Sequence, residues 1–237
     1  MLSDDPALAA RVLAISRSAH YAQRNLPKNL QGAIQIVGLR ALRNLVVAAA
    51  AQGLFMTNNN ISAMLWSHSL AVALASRILS QRIASRDGEQ AFLGGLLHDV
   101  GEMILFHGDA AGFERLLNQA RESKRSVVEV EKETYAFDHS LIGITLLDSW
   151  NIDSEIGKAI LKHHEDAESR EPQELATILS LADYLSSKAE LGFFCKPPPP
   201  PSEVLSTFAC AGDEALAGTV QELRQAFDTE SALFQSA

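Results

Sequence analysis

Phe92-Leu93-Gly94-Gly95-Leu96-Leu97-His98-Asp99-Val100-Gly101-Glu102-Met103-Ile104 is apolar on nearly every side, as expected of a helix buried in a protein core, yet it carries an imidazole and a carboxylate next to each other at its middle. Leaving those groups unpaired would cost about 1–3 kcal/mol for the imidazole and more for an ionised carboxylate. Partners must therefore come from elsewhere in the chain. His68 upstream, then His139, His163-His164 and Asp183 downstream, supply the same two chemistries on successive segments. Gly94 and Gly95 each cost about 1 kcal/mol of helix stability against alanine, which predicts close approach of a neighbouring helix.

Outward from this segment the chain reads as helical. Asp4-Asp5-Pro6 is a helix start, with a first helix ending near Tyr21. Leu30 to Val37 leads through Gly38 into a long amphipathic helix to Leu54, and Thr57-Asn58-Asn59-Asn60 supplies caps for the next. There Ile61, Met64, Leu65, Val72, Ala75, Ile78 and Leu79 recur at helical spacing, with His68 on the same stripe. Gly108-Asp109 opens a further helix, and Val127 to Phe137 is a mixed, charged segment. Asp138 can cap a helix that places His139 in its first turn, Ile152 to Glu165 carries His163-His164, and Glu174 to Leu185 carries Asp183. No alternating run is long enough for a convincing strand. Lys196 to Pro201 reads as a stiff polyproline spacer, followed by a helical hairpin from Val204 to Phe208 and Leu216 to Phe234. The expected organisation is a domain over 1–190, a proline-rich connector over 191–202 and a hairpin over 203–237, packed on the domain or on a partner.

Composition narrows the function. The 237 residues are 47% hydrophobic but only 6% aromatic, which favours packed helices. A net charge of −9 argues against a nucleic-acid partner, which needs clustered Lys and Arg. There is no run of about 18 uncharged apolar residues, and Asp4-Asp5 after Met1-Leu2-Ser3 is unlike a signal peptide. Cys195 and Cys210 lack zinc spacing and read as reduced thiols. A cytoplasmic protein with neither membrane nor nucleic-acid partners is expected.

The chemistry rests on His68, His98, Asp99, His139, His163, His164 and Asp183. Imidazole and carboxylate together suit zinc, iron, manganese or nickel, and adjacent His-Asp and His-His pairs can each point two ligands into one cavity. One or two divalent ions could be held, and a binuclear site would activate water for attack on a phosphate ester. Singly, a histidine on an apolar face is more often a hydrogen-bonded core residue, and Asp183 could merely cap or pair. Recurrence on helix after helix favours the metal reading.

The order His, His-Asp, His, His-His, Asp resembles the HD superfamily of metal-dependent phosphohydrolases, and in particular its HDOD branch, the HD-related output domain of bacterial signalling proteins. Ala33-Ile34 with Val37-Gly38-Leu39 and Leu42, Trp66-Ser67-His68-Ser69, Gly95 to Gly101, Asp138-His139 with Leu146-Leu147 and Trp150, and Ile156, Ala159-Ile160 and His163-His164 carry the resemblance from the first helix to about Leu185. It implies an all-α, HD-domain-like helical bundle, here with a C-terminal helical appendage.

The departures bear on activity. Phosphodiesterases of the related HD-GYP group follow His-Asp with glycine-lysine and His-His with glutamate and a Gly-Tyr-Pro loop, and tend to carry an acidic ligand one turn before the first histidine. This chain has Gly101-Glu102, no such loop, and Met64. A carboxylate at 102 would repel a phosphate. The resemblance therefore implies a non-catalytic signal-transduction output domain acting through contacts with signalling proteins, with room for a homo-oligomer and for a retained metal site. A metal-dependent phosphohydrolase acting on a nucleotide or cyclic dinucleotide is the alternative. The basic side chains on the relevant helices that could cradle phosphate are Arg77, Lys158, Lys162 and Lys188.

Overall fold

The computed structural model describes residues 9–10, 12–13, 16, 27–55, 59–83, 87–166, 169–192 and 197–235. Most of the expected first helix, Thr57-Asn58 and Cys195 lie outside them. Among the described residues the chain is helical without strands: α1 (Leu30–Val37), α2 (Leu39–Phe55), α3 (Asn60–Gln81), α4 (Gly88–Leu97), α5 (Val100–Gly108), α6 (Ala110–Ser123), α7 (Val127–Tyr135), α8 (His139–Ser149), α9 (Ser154–Lys162), α10 (Leu175–Lys188), α11 (Ser202–Thr207) and α12 (Asp213–Gln235).

Side-chain caps start most of these helices where the sequence implies. Asn59 accepts from the Ile61 N–H, Asp109 from Gly112, Asp138 from Ser140 and Asp153 from Glu155, satisfying donors that a helix N-terminus leaves free. The charged segment from Val127 is itself a helix, begun by a capping box in which the Ser126 hydroxyl and the Glu129 carboxylate accept each other's backbone N–H.

Packing centres on α3, against which α4 and α10 lie. Leu65, Leu70, Leu79, Phe92, Leu96 and Leu97 are fully buried between them, each contributing about 1.5–3 kcal/mol. Gly95 meets the expectation of close approach, since a Cβ there would stand 2.7 Å from the Ala73 Cα and the Val72 carbonyl of α3. Gly94 does not: a Cβ there would meet only Leu179 and Leu175 side-chain atoms at ordinary contact distance. Helix α3 is also the one element among the described residues long and apolar enough to cross a membrane, yet 72% of its apolar window is buried in the protein, so its apolarity belongs to the core.

The sequence reading needs two corrections. Phe92 to Ile104 is not one helix but the end of α4 and the start of α5, broken at His98-Asp99, where Asp99 has φ −107° and ψ 21° and makes no capping hydrogen bond. His163-His164 likewise lie beyond the last turn of α9 rather than along its side. That helix stops because its terminal carbonyls find other donors: the Arg170 guanidinium donates to the Lys162 and Glu165 carbonyls, and the Ser180 hydroxyl to the His163 carbonyl.

Helix α12 packs on α3 and α10, and the C-terminal segment buries Val204, Phe208, Cys210 and Leu223 in the main core. Arg82, just past α3, fastens it. Its guanidinium donates to the Phe208 carbonyl (2.9 Å), the Thr219 hydroxyl (3.0 Å) and the Glu222 carboxylate (2.6 Å). Arg82→Ala is expected to lower stability by about 1–3 kcal/mol, because the Phe208 carbonyl and Thr219 lose a charged donor; chemical denaturation measures it, and an unchanged midpoint would refute the role.

Candidate metal centre

Breaking the central segment at His98-Asp99 does what a continuous helix cannot. Side chains of adjacent helical residues diverge by about 100°, whereas here the His98 Nε2 and the Asp99 Oδ2 come within 2.9 Å of each other in the interior. The turn after α9 brings His163 and His164 together in the same way, with ring centroids 3.7 Å apart. All of the sequence-nominated residues converge on one region. His68 comes from α3, His139 from the first turn of α8 and Asp183 from α10.

Asp99 stands at the middle and divides them. Its Oδ2 faces the Nε2 of His98 and that of His68 (3.4 Å), which in turn lies 3.3 Å from the Asp183 Oδ1. Its Oδ1 faces the Nε2 of His139 (3.1 Å) and of His163 (3.5 Å). The His164 Nε2 reaches in to 2.9 Å from the His139 Nε2, although the residue as a whole is exposed. Two half-sites result, His68-His98-Asp183 and His139-His163-His164, each with one oxygen of Asp99. In the first triad, and in the second together with Asp99, the donor atoms lie within 4.8 Å of one another.

This arrangement fits a divalent metal better than it fits a hydrogen-bonded core cluster. The Nδ1–H groups of His98 and His163 donate to carbonyls of their own helices, Gly95 at 2.8 Å and Ile160 at 2.6 Å, and the His139 Nδ1–H donates to the Glu131 carboxylate at 2.7 Å. His68 has its Nδ1 3.4 Å from the Ser186 hydroxyl. Fixing a proton on Nδ1 leaves Nε2 as a lone pair, the form that binds metal. Those lone pairs point at one another and at a carboxylate, so the Nε2 atoms of His98 and His163 and the Asp99 Oδ1 are buried without a well-directed hydrogen bond. Without an ion the cluster must be neutralised by protons. Burial alone would lower the pKa of His68, but the Asp183 and Asp99 carboxylates outweigh it and raise it to about 10. Burial would likewise raise Asp99, but His98 and His139 hold its carboxyl well below the usual carboxylate range.

Two buried acids that the sequence reading did not nominate as ligands stand on the far side of His139. Glu131 of α7 accepts its Nδ1–H, and the Glu102 Oε1 lies 3.8 Å from the same nitrogen. Burial first, and then the neighbouring Asp99, push the Glu102 carboxyl well above its ordinary pKa. Glu131 was hidden in the run Val127 to Tyr135, yet it lies one helical turn beyond Val127 and so on the inward face that Val127 and Val130 define.

Of the basic side chains nominated for phosphate, two are engaged elsewhere and two are exposed. Arg77 is buried against the Phe92 ring (4.0 Å) and 3.8 Å from Glu230 of α12, Lys188 lies over the Tyr184 ring, and Lys158 and Lys162 are exposed on α9.

Comparison with known proteins agrees with this architecture. An uncharacterised protein of Treponema pallidum is 24% identical over 242 residues, covering 97% of this chain but only 45% of the relative, so the chain spans less than half its length. The crystal structure of an HDOD domain protein of unknown function from Geobacter sulfurreducens superposes with a TM-score of 0.76 at 25% identity, covering 96% of this chain and 83% of that one. A candidate phosphohydrolase from Shewanella amazonensis gives a TM-score of 0.71 at 26% identity, covering 98% and 84%. The HDOD domain model matches residues 1–166, well over half of the sequence. The chain belongs to the HDOD family.

Proposed function

We propose that this chain is a metal-holding, non-hydrolytic signal-transduction domain whose output passes through contacts with other signalling proteins. The observation that carries the reading is a complete donor set, five histidines and two carboxylates, with Nδ1 of His98, His139 and His163 held by hydrogen bonds, while Arg77 and Lys188 are spent on the Phe92 and Tyr184 rings. Such a site can hold divalent ions but offers little to neutralise a bound phosphate ester. His68, His98, Asp99 and Asp183 would hold one ion and Asp99, His139, His163 and His164 a second. Their role would be to tie α3, α5, α8 and α10 together, so that occupancy and the packing of these helices depend on each other.

A hydrolytic reading has one observation in its favour. Asp99 offers one oxygen to each half-site, the arrangement that a two-ion phosphohydrolase uses to hold both ions and, through them, to activate water.

Protein purified without a metal-affinity tag and analysed by plasma mass spectrometry separates the readings. One or two equivalents of iron, manganese or zinc are expected, with no turnover of bis(p-nitrophenyl) phosphate or cyclic dinucleotides by the loaded protein. Free metal at about 100 times its Kd adds about 2.7 kcal/mol, so chelation should lower Tm by roughly 5–10 °C for a chain of this size. Turnover that disappears in Asp99→Asn would refute the non-catalytic assignment, and folded protein that takes up no metal would refute both readings.

A further inference from the structure

The two half-sites differ in what stands behind their histidines. In the first, His98 and His68 rest on neutral groups, the Gly95 carbonyl and the Ser186 hydroxyl. In the second, His163 rests on the Ile160 carbonyl, but His139 rests on a carboxylate. One oxygen of Glu131 accepts both the Nδ1–H (2.7 Å) and the backbone N–H (3.0 Å) of His139. Glu131 is completely buried, and its other oxygen has no hydrogen-bond partner among the described residues.

Burying a carboxylate this way costs several kcal/mol, and capping α8 does not require it, because Asp138 already accepts the Ser140 N–H there. Glu131 is also held rigidly. Val127 and Val130 of α7 pack with Leu116 and Ala120 of α6 in a small core of their own, so the position of the carboxylate is set by helix packing rather than by a loop. A group at this cost and precision acts on the imidazole that it touches. On the metal-holding reading above, we propose that Glu131 is the positioning residue of the second half-site: it fixes His139 as the Nδ1–H tautomer, aims its Nε2 at the Asp99 Oδ1, and makes that nitrogen a stronger donor toward a divalent ion. Partners of this kind behind a metal-binding histidine are worth about 10–100-fold in affinity. The groups that His98 and His68 rest on, the Gly95 carbonyl and the Ser186 hydroxyl, are untouched by this residue, so the first half-site should be indifferent to position 131.

The test is a Co(II) titration of the full chain, followed by absorption and calorimetry, in wild type and Glu131→Gln. Glutamine keeps the size of the side chain and an oxygen that can accept both hydrogen bonds, so a purely structural role would survive it. Wild type is expected to take up two equivalents. Glu131→Gln should bind one unchanged and the other about 10–100-fold more weakly, with a shift in the visible Co(II) bands of the weakened site only. Should the variant fail to fold, nitrogen-15 spectra of the wild-type histidines with Zn(II) give the same answer: His139 is expected to carry a slowly exchanging proton on Nδ1 and the metal on Nε2. Two equivalents in wild type with both affinities unaltered in Glu131→Gln, or metal on the Nδ1 of His139, would overturn the assignment of Glu131 alone. Wild type that binds neither Co(II) nor Zn(II) would overturn the metal-holding reading and this assignment with it.

Discussion

Asp99→Asn is expected to abolish uptake of both metal equivalents, whereas His68→Ala or Asp183→Ala should remove one and spare the other. The asymmetry follows from position. Asp99 alone presents an oxygen to each half-site, Oδ2 toward His68 and His98 and Oδ1 toward His139 and His163. His68 and Asp183 face only the first. Asparagine preserves the volume and one carbonyl but withdraws the negative charge and replaces one ligand oxygen by an NH2, which cannot bind a metal and would instead donate to the histidine lone pairs that a metal needs. In the metal-free protein it also strips His68 and His139 of a counter-charge, so the variant should hold fewer protons in its folded state. Calorimetric titration with manganese or zinc, alongside elemental analysis, measures the outcome. Two equivalents retained by Asp99→Asn would show that the half-sites do not share a ligand and would sink the binuclear interpretation.

Much of this was legible in the sequence because the constraint was stark. A histidine and an aspartate in an apolar segment demand partners, and every nominated partner is there: His68 on its apolar stripe, His139 behind its Asp138 cap, His163-His164 and Asp183. The break at His98-Asp99 was not read from the sequence, because the apolar run continues through it without a proline and the interruption serves the convergence of two side chains. The end of α9 at Lys162 was missed for a similar reason: the donors that stop it, Arg170 and Ser180, arrive from later in the chain. Glu131 was hidden by composition, since one inward carboxylate in a run with Glu129 and Glu133 looks like part of a solvated face until the phase of α7 is known. Glu102 could be read as an obstacle to phosphate but not as a buried acid behind His139, which depends on how α5 and α8 cross.

That crossing carries the other large expected effect. Gly101 lies on the α5 face that meets the start of α8, and a Cβ there would overlap the His139 carbonyl oxygen, with the His139 carbonyl carbon 2.8 Å and Cα 3.0 Å away. These are backbone atoms, so no rotamer change relieves the overlap and the two helices must move apart. Overpacking of this kind costs about 1–3 kcal/mol when side chains can adjust and more when they cannot. For Gly101→Ala we expect a loss at or above the top of that range, a fall in Tm of roughly 6–12 °C. Because the displaced residue is His139 itself, the second half-site should be lost with it while His68, His98 and Asp183 still bind one ion. Gly94→Ala is the control: its nearest neighbours are Leu179 and Leu175 side-chain atoms at 3.5 Å and beyond, and alanine gains helix propensity of about 1 kcal/mol, so stability should be unchanged or slightly higher. Thermal melts and metal stoichiometry of the two variants, measured side by side, test the crossing directly. A Gly101→Ala protein with wild-type Tm and two bound ions would mean that α5 and α8 do not approach as closely here as their backbones indicate, and that His139 is not held in place by that contact.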